Sequence, residues 1–155
     1  MPAMRLSPNF SLAQLVYSET AEKSGIDNTP PPEIVENLKR LAAGLEAVQA
    51  LLGAPLEISS GYRCTALNEA VGGSGESQHV QGLAADFACP AFGSPLEVAR
   101  AVQQSGIRFD QCILEYGRWV HMSFNEAQRG RLLTIYDEKE GYLAGLWDEE
   151  GKRVA

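Results

Sequence analysis

The sequence predicts an α+β fold, an antiparallel sheet with helices packed on one side. Three observations lead there. A long helical pattern covers residues 33–52, where Leu38, Leu41, Leu45, Val48 and Leu52 recur every three or four positions. Two apolar runs, 111–116 and 118–124, are separated by Gly117 alone and read as a hairpin. Further helical patterns stand before and between strands that read as antiparallel.

Each element has its own signals. Residues 11–18 form a short helix, with Leu12, Leu15 and Val16 at helical spacing and Ser11 as its N-cap. Gly25, Asn28 and the run Pro30-Pro31-Pro32 make 24–32 a loop. Pro32 stands just before the 33–52 helix and Gly53 closes it. Residues 56–60 are a strand leading into Gly61-Tyr62-Arg63, 65–71 a short helix, and 72–77 a loop rich in glycine and serine. A strand at 83–88 is bounded by Cys89-Pro90. Ser94 starts a helix with Pro95 at its first position and Glu97 in its first turn; it runs to about residue 105, where Gly106 ends it. Residues 132–136 and 142–147 form a last strand pair or an extended tail. There are no repeats and no low-complexity segment.

At 155 residues, with 45% hydrophobic and 21% charged, the chain fits one globular domain over 1–155. No apolar run approaches the ~20 residues of a membrane helix. Residues 1–9 lack a basic region followed by an apolar one, so synthesis in the cytoplasm without a signal peptide, and no membrane insertion, are expected. A net charge of −7 argues against nucleic acid, which needs clustered Lys and Arg. Cys64, Cys89 and Cys112 cannot all pair within one chain and match no structural zinc spacing; buried free thiols are expected.

The chemistry concentrates in the stretch Ser77-Gln78-His79-Val80-Gln81-Gly82-Leu83-Ala84-Ala85-Asp86 and in Trp119-Val120-His121, which hold the only two histidines. Two imidazoles and a carboxylate leave a fourth position on a zinc ion open for water, and this donor set suits zinc better than magnesium or calcium. Strand alternation places Ala84 and Asp86 on one face and Ala85 and Phe87 on the other. Likewise Trp119, His121 and Ser123 share a face, with Val120, Met122 and Phe124 turned to the core. A carboxylate among apolar neighbours is costly unless paired or metal-bound. The pattern points to a metal-dependent hydrolase holding one Zn2+ through His79, Asp86 and His121.

The pattern S-x-H-x-x-G-x-A-x-D followed by W-x-H resembles the zinc D-Ala-D-Ala peptidases of family M15, which share the Hedgehog/DD-peptidase fold. The small single-domain branch common in phage and prophage genomes is the most similar in appearance. Asn9-Phe10-Ser11-Leu12, Gly25-Ile26-Asp27-Asn28 with the prolines, Ile58-Ser59-Ser60-Gly61-Tyr62-Arg63 and Phe109-Asp110-Gln111 carry the likeness too, over about residues 8–125. The resemblance implies hydrolysis of peptidoglycan stem peptides, as a D-Ala-D-Ala carboxypeptidase or an L-Ala-D-Glu endopeptidase of the endolysin type. A monomer is expected, acting in the periplasm after release. The acidic chain would not be strongly attracted to an anionic wall, so recognition should rest on the local pocket. In better-studied relatives an acidic residue three positions before the second histidine serves as base; here that position is Arg118, which cannot accept a proton. Glu115, brought back by a turn at Gly117, is nominated instead, with Glu76 the weaker candidate. Arg63 corresponds to the arginine that faces the zinc in relatives and suits an oxyanion or a carboxylate. Ser77 holds the position that hydrogen-bonds substrate, and Tyr62 and Trp119 are candidate cleft walls. Gly82 is read as allowing close packing beside the metal. Two other readings stay open: a weak or inactive zinc-binding module of a phage or prophage particle, favoured by Arg118, and a zinc-dependent amidase.

Overall fold

The computed structural model describes residues 4–155; the first three residues of the expected domain, which also begin the 1–9 stretch, lie outside them. Strands β1 (Arg5–Ser7) and β2 (Phe10–Ser11) form a small antiparallel ribbon ahead of helix α1 (Leu12–Val16). The 11–18 helix ends early because Ser18 turns extended and caps a second helix, α2 (Glu19–Ser24), its hydroxyl accepting from the Ala21 amide. Helix α3 (Pro32–Leu52) has proline at its first position, and Gly53 ends it at φ 66°, donating to the Gln49 carbonyl. Strand β3 (Glu57–Ser60) and helix α4 (Thr65–Ala70) follow, then strand β4 (Ala84–Ala88). Helix α5 (Pro95–Gln104) opens with a full capping box between Ser94 and Glu97. Strands β5 (Gln111–Glu115), β6 (Trp119–Ser123), β7 (Arg131–Ile135) and β8 (Leu143–Ala144) complete the chain.

The six-stranded sheet has the order β3-β4-β6-β5-β7-β8. Its pairings are antiparallel except one: β7 runs parallel to β5, with Gln111 opposite Arg131 and Glu115 opposite Ile135. The antiparallel sheet expected from sequence forms, with this single parallel pairing added. Both edges of β6 are already taken, by β4 and β5. The chain therefore crosses back and enters beside the start of β5, where Gly130 and Arg131 donate to the Phe109 and Asp110 carbonyls. The last expected strand pair forms as β7 and β8.

Helices cover one face of the sheet. Leu38, Leu41, Leu45 and Val48 of α3, with Val98 and Val102 of α5, pack onto Ala85, Phe87, Cys112, Leu114, Val120 and Met122. All of these are essentially removed from water. The opposite face carries a smaller cluster, Ile113, Leu133 and Ile135, with Tyr116 packed against it. The site lies on that second face. No described helix is long and apolar enough to cross a membrane. The three cysteines are free; Cys89 and Cys112 are buried, and burial pushes the Cys112 thiol up to about 12.

Candidate metal centre

A row of residues crosses the whole sheet on its open face: Ser60, Asp86, His121, Ile113, Leu133 and Ala144, each register partner of the next. Asp86 and His121 are thus direct cross-strand neighbours. The β3 register shifts between Ile58 and Ser60, a bulge that turns the chain out of the sheet toward Gly61 and Arg63. Ser59 in the bulge donates to the Asp86 carbonyl.

His79 comes from the loop before β4. It is 2% exposed. Its amide donates to the Ser77 hydroxyl and its carbonyl accepts from the Arg63 amide. Gly82 follows at φ 72°, and a Cβ there would press on Ile34 and Leu38 of α3, so the glycine seats this loop on the helix rather than at the metal residues. The His79 ring is oriented from behind, Nδ1 lying 2.7 Å from the Gly61 carbonyl oxygen. Gly61 itself allows no side chain, because a Cβ would strike the Leu15 carbonyl.

With Nδ1–H donating to Gly61, the Nε2 lone pair of a neutral His79 faces Asp86 Oδ1 at 3.2 Å. His121 Nδ1 lies 2.9 Å from the same oxygen. One donor atom from each of the three residues falls within 4.8 Å of the others. A lone pair aimed at a carboxylate oxygen is repulsive unless a proton or cation lies between. Burial disfavours the proton on His79 and holds its pKa below the ordinary value, despite the pull of Asp86. On His121 burial acts in the same sense and is the largest effect, but the hydrogen bond and charge of Asp86 together with the charge of Glu115 outweigh it and the net shift is upward. Asp86 is also penalised by burial, yet its bonds to His121 and His79 hold it well below the usual carboxylate range. Two nitrogens and an anionic oxygen, buried and converging, fit a zinc ion. The carbonyl behind His79 is the partner that fixes the tautomer of a metal-bound imidazole.

Around the triad, Arg63 is half-buried, and its Nε is buried without a hydrogen-bond partner. Burial lowers its pKa while the charges of Asp86 and Glu115 raise it, which places the guanidinium in their field. No described carboxylate forms an ion pair with it. Glu115 shares the face of Ile113 and His121, opposite Trp119, whose indole N–H donates to Glu115 Oε1 at 2.7 Å. Burial raises the Glu115 pKa; His121 opposes and Asp86 adds to the shift. The turn that returns the chain has both Tyr116 (φ 58°) and Gly117 (φ 66°) left-handed, which closes the hairpin tightly. Arg118 is exposed in that turn, its amide donating to the Glu115 carbonyl.

Not every sequence-predicted residue joins the cluster. Tyr62 is 6% exposed and belongs to the hydrophobic core; Cys64 and Glu33, rather than the triad, perturb its phenol. Ser77 braces the His79 backbone. Glu76 is exposed, its amide donating to Ser74. Trp119 stands beside Glu115, bonded to its carboxylate.

Two residues were missed from sequence. Asn28 donates to the Val16 and Tyr62 carbonyls (2.8 and 3.0 Å) and accepts from the Cys64 amide at 2.8 Å, clamping the backbone on both sides of Arg63. Its place in the Gly-Ile-Asp-Asn run was the only signal. Gln78, next to His79, donates to Asp110, a fully buried carboxylate that also takes two bonds from the Arg129 guanidinium. Nothing local in the sequence ties residues 78, 110 and 129 together.

A His-Asp-His set converging on the open face of an α+β sheet fits a metal-dependent hydrolase. Residues 8–123 match the family model described as Peptidase M15, and the chain belongs to that family of zinc peptidases acting on peptidoglycan peptides. No curated protein matches it.

Proposed function

We propose that this chain is a zinc peptidase that cuts peptidoglycan stem peptides, either releasing the terminal D-Ala or cleaving between L-Ala and D-Glu. The observation that carries the reading is the convergence of His79, Asp86 and His121 beside an unpaired Arg63 and a half-buried Glu115. His79, Asp86 and His121 would hold a zinc ion, which would supply a water of lowered pKa and polarise the scissile carbonyl. Glu115 would take a proton from the attacking water as its oxygen bonds to the carbonyl carbon, and pass that proton to the leaving amine as the C–N bond breaks. Its raised pKa suits both halves of that exchange. Arg63 meets the negative charge developing on the carbonyl oxygen, or a substrate carboxylate, with a fork no protein group occupies. Trp119 holds the Glu115 carboxylate in place. The chain acts as a monomer of phage or prophage origin, reaching the periplasm after release.

The test is digestion of purified Gram-negative sacculi by the zinc-loaded protein, with mass spectrometry of the released peptides and His121→Ala alongside. Metal-dependent release of D-Ala, or of peptides cut after L-Ala, is expected. A second reading, a zinc-binding module without activity, has Arg118 at the base position of relatives in its favour. An unchanged sacculus profile at full zinc occupancy would establish it.

A further inference from the structure

Strand β8 lies outside the matched residues 8–123, yet it continues the open face of the sheet, and Tyr142 immediately precedes it. Leu143 pairs with Thr134 and Ala144 with Leu133. Ala144 therefore shares the open face, and so does Tyr142, two residues earlier. Tyr142 continues the line set by Trp119, Glu115 and Ile135 across three paired strands. Its ring is 57% exposed. Burial of its hydroxyl and the charges of Glu115, Tyr116 and Asp86 raise its pKa, which agrees with a phenol reaching toward the triad. Beside it, Tyr116 packs on Ile113, Leu133 and Ile135, and its ring lies 5.6 Å from that of Trp119. The cleft thus runs across the strands, with Arg63 beyond its β3 end and Tyr142 at its β8 end.

The chemistry selects what lies there. A base that protonates the leaving amine must sit beside the residue on the carboxyl side of the scissile bond. Glu115 stands between the metal residues and the wall formed by Tyr116, Ile135 and Tyr142. We propose that this wall is the subsite for that leaving-side residue, and that the Tyr142 ring contacts its aliphatic portion. The proposal rests on the peptidase reading with Glu115 as base.

The test uses the zinc-loaded full chain and the pentapeptide L-Ala-γ-D-Glu-L-Lys-D-Ala-D-Ala, which contains both candidate scissile bonds. Steady-state hydrolysis and calorimetric binding are measured for the wild type, Tyr142→Ala and Tyr142→Phe. Tyr142→Ala is expected to raise KM and Kd about tenfold, with kcat within about threefold and zinc content unchanged. Tyr142→Phe keeps the ring and stays near the wild type. KM and Kd of Tyr142→Ala within about twofold of the wild type would overturn the subsite. If the wild type binds the pentapeptide without cutting it, the peptidase reading fails while the Kd comparison still judges Tyr142. If it does not bind at all, the subsite is overturned with it.

Discussion

Replacing Asn28 by alanine removes a clamp that touches neither metal nor substrate. Three hydrogen bonds disappear, from the side-chain amide to the Val16 and Tyr62 carbonyls and from the Cys64 amide to the side-chain oxygen. At roughly 1 kcal/mol net each, less what water restores at a half-buried site, the loss of stability is about 2 kcal/mol. A purely structural role would end there. But the bonds to residues 62 and 64 bracket Arg63, whose own amide is tied to the His79 carbonyl at 3.1 Å. Freed on both sides, the guanidinium no longer waits in one position, and kcat is expected to fall about tenfold or more. Asn28→Asp keeps the acceptor for Cys64 and loses both donors, so it should fall between the two. Urea denaturation gives the stability, and pentapeptide hydrolysis corrected for folded fraction and zinc content gives the rate. A 2 kcal/mol loss with kcat unchanged would refute the claim that Asn28 positions Arg63.

Other outcomes follow from the same geometry. Glu115→Gln preserves an acceptor for the Trp119 indole, so zinc content and stability should hold while kcat drops roughly 10²–10⁴-fold. Because burial raises the Glu115 pKa and the base must be ionised, activity rises with pH along an acid limb lying above the ordinary carboxylate range, read from kcat/KM against pH. Arg129→Ala strips two bonds from buried Asp110 and costs about 1–2 kcal/mol near neutrality. Asp110 is held below its unfolded value, so its contribution is present above about pH 4 and fades as pH falls; the gap between variant and wild type should narrow in acid urea titrations. Chelation removes the stabilisation a bound ion confers, about 4 kcal/mol at a thousandfold excess over Kd, seen as a lower Tm that zinc restores.

Local signals in the sequence were read correctly and distant ones were not. Pro32, Gly53, and the Ser94–Glu97 box set helix ends through contacts within a turn, and α3 and α5 formed where expected. Alternation set Asp86 and His121 each away from the core side of its own strand, and the register of β4 and β6 then makes them neighbours. Helix α2 was missed because Glu19–Ser24 carries no apolar repeat; its start is held by the Ser18 hydroxyl. The parallel entry of β7 depended on which edge of β5 remained free, a property of the assembled sheet. Tyr62 looked like a cleft residue from its neighbour Arg63, but it packs in the hydrophobic core. Tyr142 and Asn28 act across separations that no window of sequence spans.

The row from Ser60 to Ala144 also bears on how the molecule is made. Side chains on a strand alternate, so a slip of one residue between β4 and β6 would turn Asp86 or His121 into the helix-covered core and break the pair. A misaligned sheet therefore has no place for the ion. A zinc ion held by these residues would stabilise only the correctly registered chain, so metal binding would select for the right strand pairing.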